Sequence, residues 1–134
     1  MEQTCIIIKP DSVKRNLVGE IIRRYERKGL QIVAMQMLTA SRELAQAHYE
    51  DLKDSAFFDE LVDFMTSGPV VVMVLAGENA IRAARHLNGA TNPLEAAPGT
   101  IRGDYGLQIS ENVVHASDTP AAAAREIALW FPKA

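Results

Sequence analysis

Apolar positions recur along this chain with two different spacings, and the spacings separate strands from helices. Residues 4–8 form an unbroken run rich in β-branched side chains, which is typical of a fully buried strand. In the next segment apolar side chains stand three and four positions apart, which predicts an amphipathic helix that ends at Gly29. These apolar positions are Val18, Ile21, Ile22 and Tyr25.

Gly and Pro residues divide the rest of the chain into further elements of both kinds. Further strands are predicted at 30–39, 70–76 and 112–115, helices at 41–52, 57–65 and 78–87, and a last helix from Pro120. Residues 88–111 are rich in Gly and Pro and are interpreted as a long loop with one helical turn at 101–105. A loop of this length in a compact domain is usually functional or disordered.

The order of these elements indicates the fold. Strand, helix, strand, helices, strand, helix, long loop, strand and helix follow one another in one domain of residues 1–134. The βαββαβ core of this order predicts an α/β (α+β) protein with a ferredoxin-like sandwich. We expect a four-stranded antiparallel sheet with helices packed on one face and a long loop before the last strand.

The second predicted strand is apolar on both faces, and this leaves two interpretations open. One face has Ile32, Ala34 and Leu38, and the other has Val33, Met35 and Met37. If this is an edge strand, its free backbone and side chains favour pairing with another subunit. If it is buried within one subunit, both faces pack on that subunit's own helices.

Composition narrows the range of functions. The apolar content of 48% is enough for a core, and the net charge of −3 disfavours binding to nucleic acid or to anionic lipid. The single cysteine, Cys5, lies in the first apolar run and is interpreted as a packing residue of a protein from a reducing compartment. The N-terminus does not resemble a signal peptide, and charged residues interrupt every apolar run, so a cytoplasmic protein without a membrane span is expected.

Candidate chemistry centres on a histidine at the junction between the last strand and the last helix. The stretch ENVVHASDTP places His115 just before the helix-start residues Ser117 to Pro120. On its own this histidine is either a core residue near a cap or a presented nucleophile or base. The chain lacks the Gly-rich phosphate loops of common nucleotide-binding folds, and its histidines have no zinc-ligand spacing. Cationic and polar residues near the irregular regions would instead form an anion site with His115. They are Lys9, Arg85, Thr91, Arg102 and Asn112.

Several blocks of the sequence, in the right order, resemble the nucleoside diphosphate kinase family. The blocks are IIIKPDSVKRNLVGEII, HYEDLKDSAFFDELVDFMTSGPVVVMVLAGENAI, NGATNP, PGTIRGDYG, ENVVHASD and EIALWF. The resemblance implies transfer of the γ-phosphoryl group of a nucleoside triphosphate, typically ATP, to a nucleoside diphosphate by a ping-pong reaction through a phosphohistidine. It also implies Mg²⁺ carried on the nucleotide phosphates, with Asp118 as a residue near it.

The resemblance also assigns roles to individual residues. His115 matches the phosphorylated histidine, with Ser117 and Glu126 as its supports, and Phe57 matches the aromatic that stacks on the base. The residues that match phosphate and ribose contacts are Lys9, Tyr49, Arg85, Thr91, Arg102 and Asn112. Without the resemblance, Tyr49 and Phe57 would be interpreted as packing residues and Glu126 as a surface glutamate.

The sequence departs from the family pattern at three places. Ala116 follows the histidine where glycine is usual, so backbone strain is expected if that position has a positive φ. Ser55-Ala56 stand where many members have proline, which predicts a less rigid base-stacking region. The chain ends at Phe131-Pro132-Lys133-Ala134, where longer members continue with a tail that aids association. Family members assemble from a common dimer, and the short tail favours a tetramer over a hexamer or a dimer.

Two other functions compete with the enzyme. The first is a nucleotide-binding module without activity, in which Ala116 has disabled the site. The second is nucleic-acid binding, which some family members are reported to have. The acidic balance of the chain and the absence of an aromatic and basic stripe weigh against the second.

Overall fold

A four-stranded antiparallel sheet organises the chain, as the sequence predicts. The computed structural model describes residues 1–132, so Lys133 and Ala134 of the short tail lie outside the described residues. The strands are β1 (Glu2–Ile8), β2 (Gln31–Leu38), β3 (Val70–Gly77) and β4 (Val114–Ala116). Their order across the sheet is β2-β3-β1-β4, and every neighbouring pair is antiparallel. The predicted ferredoxin-like sandwich is therefore confirmed.

Seven α-helices within residues 1–132 accompany the sheet. They are α1 (Pro10–Lys14), α2 (Val18–Lys28), α3 (Arg42–His48), α4 (Phe58–Met65), α5 (Ala80–Asn88), α6 (Ile101–Tyr105) and α7 (Pro120–Trp130). Single 3₁₀ turns at Glu50–Leu52 and Pro93–Glu95 lie between them. No helix among the described residues is both long enough and apolar enough to cross a membrane.

The helices cover both faces of the sheet, and the expectation of helices on one face is wrong. Alternate residues of β1 enter two separate cores: Ile6 and Ile8 pack in one, and Cys5 and Ile7 pack in the other. The first core includes side chains from α2 and α5, and the second includes side chains from α3, α4 and α7. Because β1 and β3 are central and apolar on both faces, a single layer of helices would leave one of those faces exposed to water.

Several element boundaries differ from the prediction, and for two of them the structure shows a reason. The helix predicted at 41–52 ends at His48 because Arg125 of α7 donates hydrogen bonds to the carbonyl oxygens of Ala47 and His48, both at 3.0 Å. The last strand begins at Val114 because Val113 has a φ of 78° and cannot continue an extended ladder.

Strand β2 forms one edge of the sheet, and its burial alternates along the strand. Val33, Met35 and Met37 are each more than half exposed, whereas Ile32 packs against the first core and Leu38 against the second. The prediction that Ile32 and Leu38 share one face is therefore wrong. An irregularity in the pairing between Ile32 and Ala34 marks a bulge at Val33. Of the two open interpretations, the structure supports an edge strand and contradicts a strand that is buried within one subunit.

Gly103 in α6 tests how tightly the long loop of residues 88–111 is packed, and Gly19 in α2 is the control. At Gly103 in α6 an added Cβ would overlap the carbonyl oxygen of Ala97, whereas at Gly19 in α2 it would meet nothing within 4 Å. We expect Gly103→Ala to lower the free energy of unfolding by about 1–3 kcal/mol through overpacking. Gly19→Ala should raise it by about 0.5 kcal/mol by restricting the unfolded chain. Urea midpoints measured at one protein concentration test both, and equal midpoints would contradict this packing.

Candidate active site

The site begins at the carboxyl end of β1, where Lys9 leaves the sheet. Lys9 is 8% exposed, and its Nζ donates a hydrogen bond of 2.7 Å to Oδ1 of Asn112. The Nδ2 of Asn112 donates to the carbonyl oxygen of Thr91 at 3.1 Å. These two contacts join the end of a central strand to both ends of the long loop. The predicted residues Lys9, Thr91 and Asn112 therefore lie together.

Arg102 secures the same loop from inside. Its Nε donates to the carbonyl oxygen of Asn112 at 3.0 Å, and its two Nη atoms donate to those of Gly89 at 2.9 Å and Val114 at 2.6 Å. Three of its five N–H groups thus hold the backbone that leads to His115. Arg85 donates from Nη1 to the carbonyl oxygen of Ala116 at 3.2 Å, directly beyond the histidine.

Backbone strain lies at Val113, two residues before the histidine. Val113 has a φ of 78°, and the N–H of Val114 donates to the carbonyl oxygen of Asn112 at 2.8 Å, which closes a γ-turn of the rare kind. Such a conformation costs a β-branched residue on the order of 1–3 kcal/mol. The carbonyl oxygen of Val113 accepts from the N–H of Lys9 and the hydroxyl of Ser12, so the surrounding structure holds the turn.

Ala116, by contrast, carries no such strain. Among residues 1–132, the positive φ values outside glycine belong to Asn16, Asn79 and Val113. Ala116 lies in β4, pairs with Ile6 and is 3% exposed. An alanine in a strand needs no left-handed backbone, so the residue after His115 does not distort the site.

His115 is held by a carboxylate from the last helix. Its Nε2 lies 2.9 Å from Oε1 of Glu126, and Ser117 donates from its hydroxyl to the same oxygen at 2.7 Å. The Ser117 hydroxyl is fixed in turn by the N–H of Cys5, at 3.1 Å. The His115 side chain keeps 22% exposure while that of Glu126 keeps 7%. A carboxylate accepts only, so Nε2 carries the proton and Nδ1 has a free lone pair.

The electrostatics of this pair favour a neutral imidazole. Burial lowers the pKa of His115 below its ordinary value, and Glu126 opposes this without reversing it. Burial raises the pKa of Glu126, but three contacts outweigh this effect and hold the pKa below its ordinary value. They are the hydrogen bond to His115, the electrostatic interaction with His115 and the hydrogen bond from Ser117. Near pH 7 the pair is therefore a neutral, nucleophilic imidazole beside a carboxylate.

Two of the three predicted cationic residues, Lys9 and Arg102, are buried, whereas Arg85 is exposed. Burial lowers the pKa of Lys9 to about 8, with the charge of Arg102 acting in the same direction. Burial also lowers the pKa of Arg102 to about 10. An anion that entered the site would supply the missing negative charge and raise both values again.

A cleft of about 380 Å³ opens beside these residues. Five predicted site residues line it, together with the apolar Leu52 and Ile109. The five are Lys9, Tyr49, Phe57, Thr91 and Asn112. Phe57 is 65% exposed at this cleft, and the buried hydroxyl of Tyr49 has no hydrogen-bond partner among residues 1–132. A larger cavity of about 640 Å³, beside Pro10 and Phe64, includes none of the predicted site residues.

The sequence gives no functional role to His48, and it predicts Asp118 only as a residue near the Mg²⁺ of the nucleotide. His48 lies 4.6 Å from His115 between ring centroids and 4.8 Å from Tyr49, so it joins the cleft to the histidine. Its only sequence signal is its position next to Tyr49. Asp118 is exposed, and no hydrogen bond within residues 1–132 connects it to the other site residues.

Comparison with known proteins agrees with the resemblance. A family model described as nucleoside diphosphate kinase matches residues 2–134. A nucleoside diphosphate kinase of Archaeoglobus fulgidus is 61% identical over 131 residues, which are 98% of this chain and 87% of the relative. One from Thermobifida fusca is 57% identical over 132 residues, 98% of each chain. An apo crystal structure of a nucleoside diphosphate kinase from Encephalitozoon cuniculi superposes with a TM-score of 0.97 at 45% identity, covering 99% of this chain and 90% of its own.

The contact between Glu126 and His115 leads to a test with a defined sign. The Glu126 charge raises the pKa of His115 against the effect of burial, so Glu126→Gln should lower that pKa further. Glu60→Gln, an exposed change at the cleft, is the matched control. Titration of the His115 ring by NMR measures the shift. An unchanged or higher pKa in Glu126→Gln would contradict the described contact.

Proposed function

Because the chain belongs to the nucleoside diphosphate kinase family, whose members are phosphotransferases acting on nucleotides, we propose a ping-pong reaction through a phosphohistidine at His115. The γ-phosphoryl group of a nucleoside triphosphate, typically ATP, passes first to His115 and then to a nucleoside diphosphate. One observation carries this proposal: Glu126 occupies Nε2 of His115, and Nδ1 keeps its lone pair. This reaction keeps nucleotide pools in balance.

Each half-reaction exchanges one bond to phosphorus for another. In the first, the Nδ1 lone pair of His115 attacks the γ-phosphorus, the bond to the β–γ bridging oxygen breaks, and the diphosphate leaves with that electron pair. The Nε2 proton stays on the ring, where the Glu126 carboxylate stabilises the positive charge that develops. In the second, a terminal phosphate oxygen of the acceptor diphosphate attacks the phosphorus, and the N–P bond breaks to restore neutral His115.

The cationic residues supply charge stabilisation rather than proton chemistry, as phosphoryl transfer requires. Lys9 and Arg102 each have two N–H groups that no hydrogen bond within residues 1–132 uses. A preorganised donor of this kind is worth about 2.7–4 kcal/mol in a transition state. We assign phosphate and ribose contacts to Lys9, Arg102 and four further residues. These are Tyr49, Arg85, Thr91 and Asn112.

Base binding is assigned to the exposed ring of Phe57. A stacked ring accepts every base, because each base has a π-face, so broad nucleotide choice follows. The N–H of Phe57 donates to the hydroxyl of Ser55 at 3.1 Å, which orders the segment where many family members have proline.

The nucleotide is proposed to enter as its Mg²⁺ complex, with the ion held mainly by the phosphates. Asp118, exposed just after Ser117, offers a carboxylate of the hard oxygen type that Mg²⁺ prefers. A cytoplasmic location accords with nucleotide substrates and with the buried single thiol of Cys5.

The exposed edge of the sheet is proposed to join two copies of this chain. Strand β2 presents unpaired backbone groups together with Val33, Met35 and Met37, an apolar row that a second β2 would cover. We expect such dimers to associate further, with a tetramer as the favoured assembly.

The first test follows the phosphoryl group. Incubation with γ-labelled ATP and Mg²⁺ should label the protein, and the label should be acid-labile, stable to alkali and transferable to added GDP. His115→Ala should abolish labelling, and His86→Ala, a change at an exposed histidine of α5, should leave it intact. Full labelling of His115→Ala would refute the proposed nucleophile, and nucleotide binding by the wild type without labelling would indicate an inactive binding module.

The second test concerns assembly. Met35→Lys places a charge in the apolar row of β2 and should convert dimers to monomers in light scattering. Leu94→Lys, an equally drastic change at a residue that is 75% exposed in the long loop, should leave at least a dimer. Wild-type mass in Met35→Lys would contradict pairing through this edge.

A further inference from the structure

A second histidine lies against the proposed nucleophile, and the reaction described above does not use it. His48 ends α3 and is 5% exposed. The centroid of its ring is 4.6 Å from that of His115, and the two ring planes are nearly perpendicular at 82°. Edge-to-face contacts of this kind favour one mutual orientation of two rings. The orientation of His115 is therefore coupled to that of His48.

The protonation of His48 is determined by the indole of Trp130. Nε1 of Trp130 lies 3.1 Å from Nδ1 of His48, in a buried contact. An indole N–H only donates, so Nδ1 must accept and the proton of a neutral His48 must be on Nε2. Burial lowers the pKa of His48 well below its ordinary value, and the charges of Lys9 and Arg125 act in the same direction. His48 is thus an uncharged imidazole with one defined tautomer.

One face of helix α7 controls both histidines. Glu126 and Trp130 are four residues apart, so their side chains lie on the same side of the helix. Glu126 binds Nε2 of His115, and Trp130 binds Nδ1 of His48. The neighbouring Arg125 ties the helix to the carbonyl oxygens at the end of α3, so the distance between the two helices is fixed at the same place.

We propose that His48 is a positioning residue for His115: held as a neutral Nε2–H tautomer by Trp130, it packs edge-to-face on the His115 ring and keeps that ring on Glu126. The assignment rests on the proposed role of His115 as nucleophile. Without this neighbour, the His115 ring gains freedom to rotate about its side-chain bonds, and Nδ1 spends less time in the orientation that attacks phosphorus.

The same contacts disfavour a metal at this cluster. The ligand atoms of His48, His115 and Glu126 all lie within 4.8 Å of one another, close enough to suggest a metal ion. However, the lone pair of His48 Nδ1 accepts from Trp130, and His115 Nε2 is bonded directly to Glu126 at 2.9 Å. A metal would have to displace both hydrogen bonds, one of them from a buried indole. The cluster is better explained as two oriented rings.

The first test requires no activity. In the wild-type protein labelled with ¹⁵N at histidine, Nδ1 of His48 should show the shift of an unprotonated nitrogen and Nε2 that of a protonated one at pH 7. Trp130 is the single tryptophan of the chain, so its indole N–H gives one signal, which should change in His48→Asn. A charged His48, or one protonated on Nδ1, would overturn the proposal whether or not the protein is a kinase.

The second test separates positioning from folding by kinetics. His48→Asn retains an acceptor near Trp130 but removes the ring, so single-turnover phosphorylation of His115 should slow about 10-fold while ATP affinity stays within about 2-fold. The matched control, His86→Asn at an exposed histidine, should retain the wild-type rate.

A double variant, His48→Phe with Trp130→Phe, restores a ring beside His115 and removes both polar partners, so that neither is left unpaired. It should phosphorylate within about 3-fold of the wild-type rate. A wild-type rate in His48→Asn, or a double variant as slow as His48→Asn, would overturn the positioning role. Failure of the wild type to phosphorylate at all would instead refute the proposed function.

Discussion

The hydrogen bond between Nε2 of His115 and Glu126 is the contact on which the proposed chemistry depends. This contact determines which ring nitrogen has a lone pair to react, and it requires two segments to meet: β4 at the sheet edge and α7 on the layer behind it. Ser117 binds the same carboxylate oxygen and is anchored to the backbone of β1. The reactive ring is thus positioned, through Glu126 and Ser117, relative to a central strand of the sheet.

The backbone that leads to His115 is conformationally strained. Val113 adopts a strained turn, and that turn persists because Lys9, Ser12 and Arg102 all bond to backbone groups within or beside it. The same lysine and arginine are the buried cations of the proposed phosphate site. Arg102 supports the backbone with its charged side chain, whereas Lys9 does so with its backbone N–H and has its Nζ held by Asn112. Both charges of the proposed phosphate site are therefore fixed before a ligand arrives.

Much of the fold could be predicted from local patterns, because the buried runs of β1 and β3 and the helical period of α2 are encoded within each segment. The motif residues near the histidine were recognisable for the same reason. The second helical layer was not predicted, since full burial of residues 4–8 does not say what covers each face. The sequence does not reveal His48, because only the tertiary packing of α3 against α7 brings it to His115. Backbone strain is predicted at Ala116 but lies at Val113, because tertiary contacts decide which residue adopts a positive φ.

The central claim is that Glu126 leaves Nδ1 of His115 as the reacting atom. Phosphorus and nitrogen NMR of the ¹⁵N-histidine protein, phosphorylated by ATP and kept under alkaline denaturing conditions, identifies the phosphorylated nitrogen through its coupling to phosphorus. The structure predicts phosphate on Nδ1 of His115, with Nε2 protonated and bound to Glu126 in the folded protein. Phosphate on Nε2, or on another histidine, would contradict this account of the site.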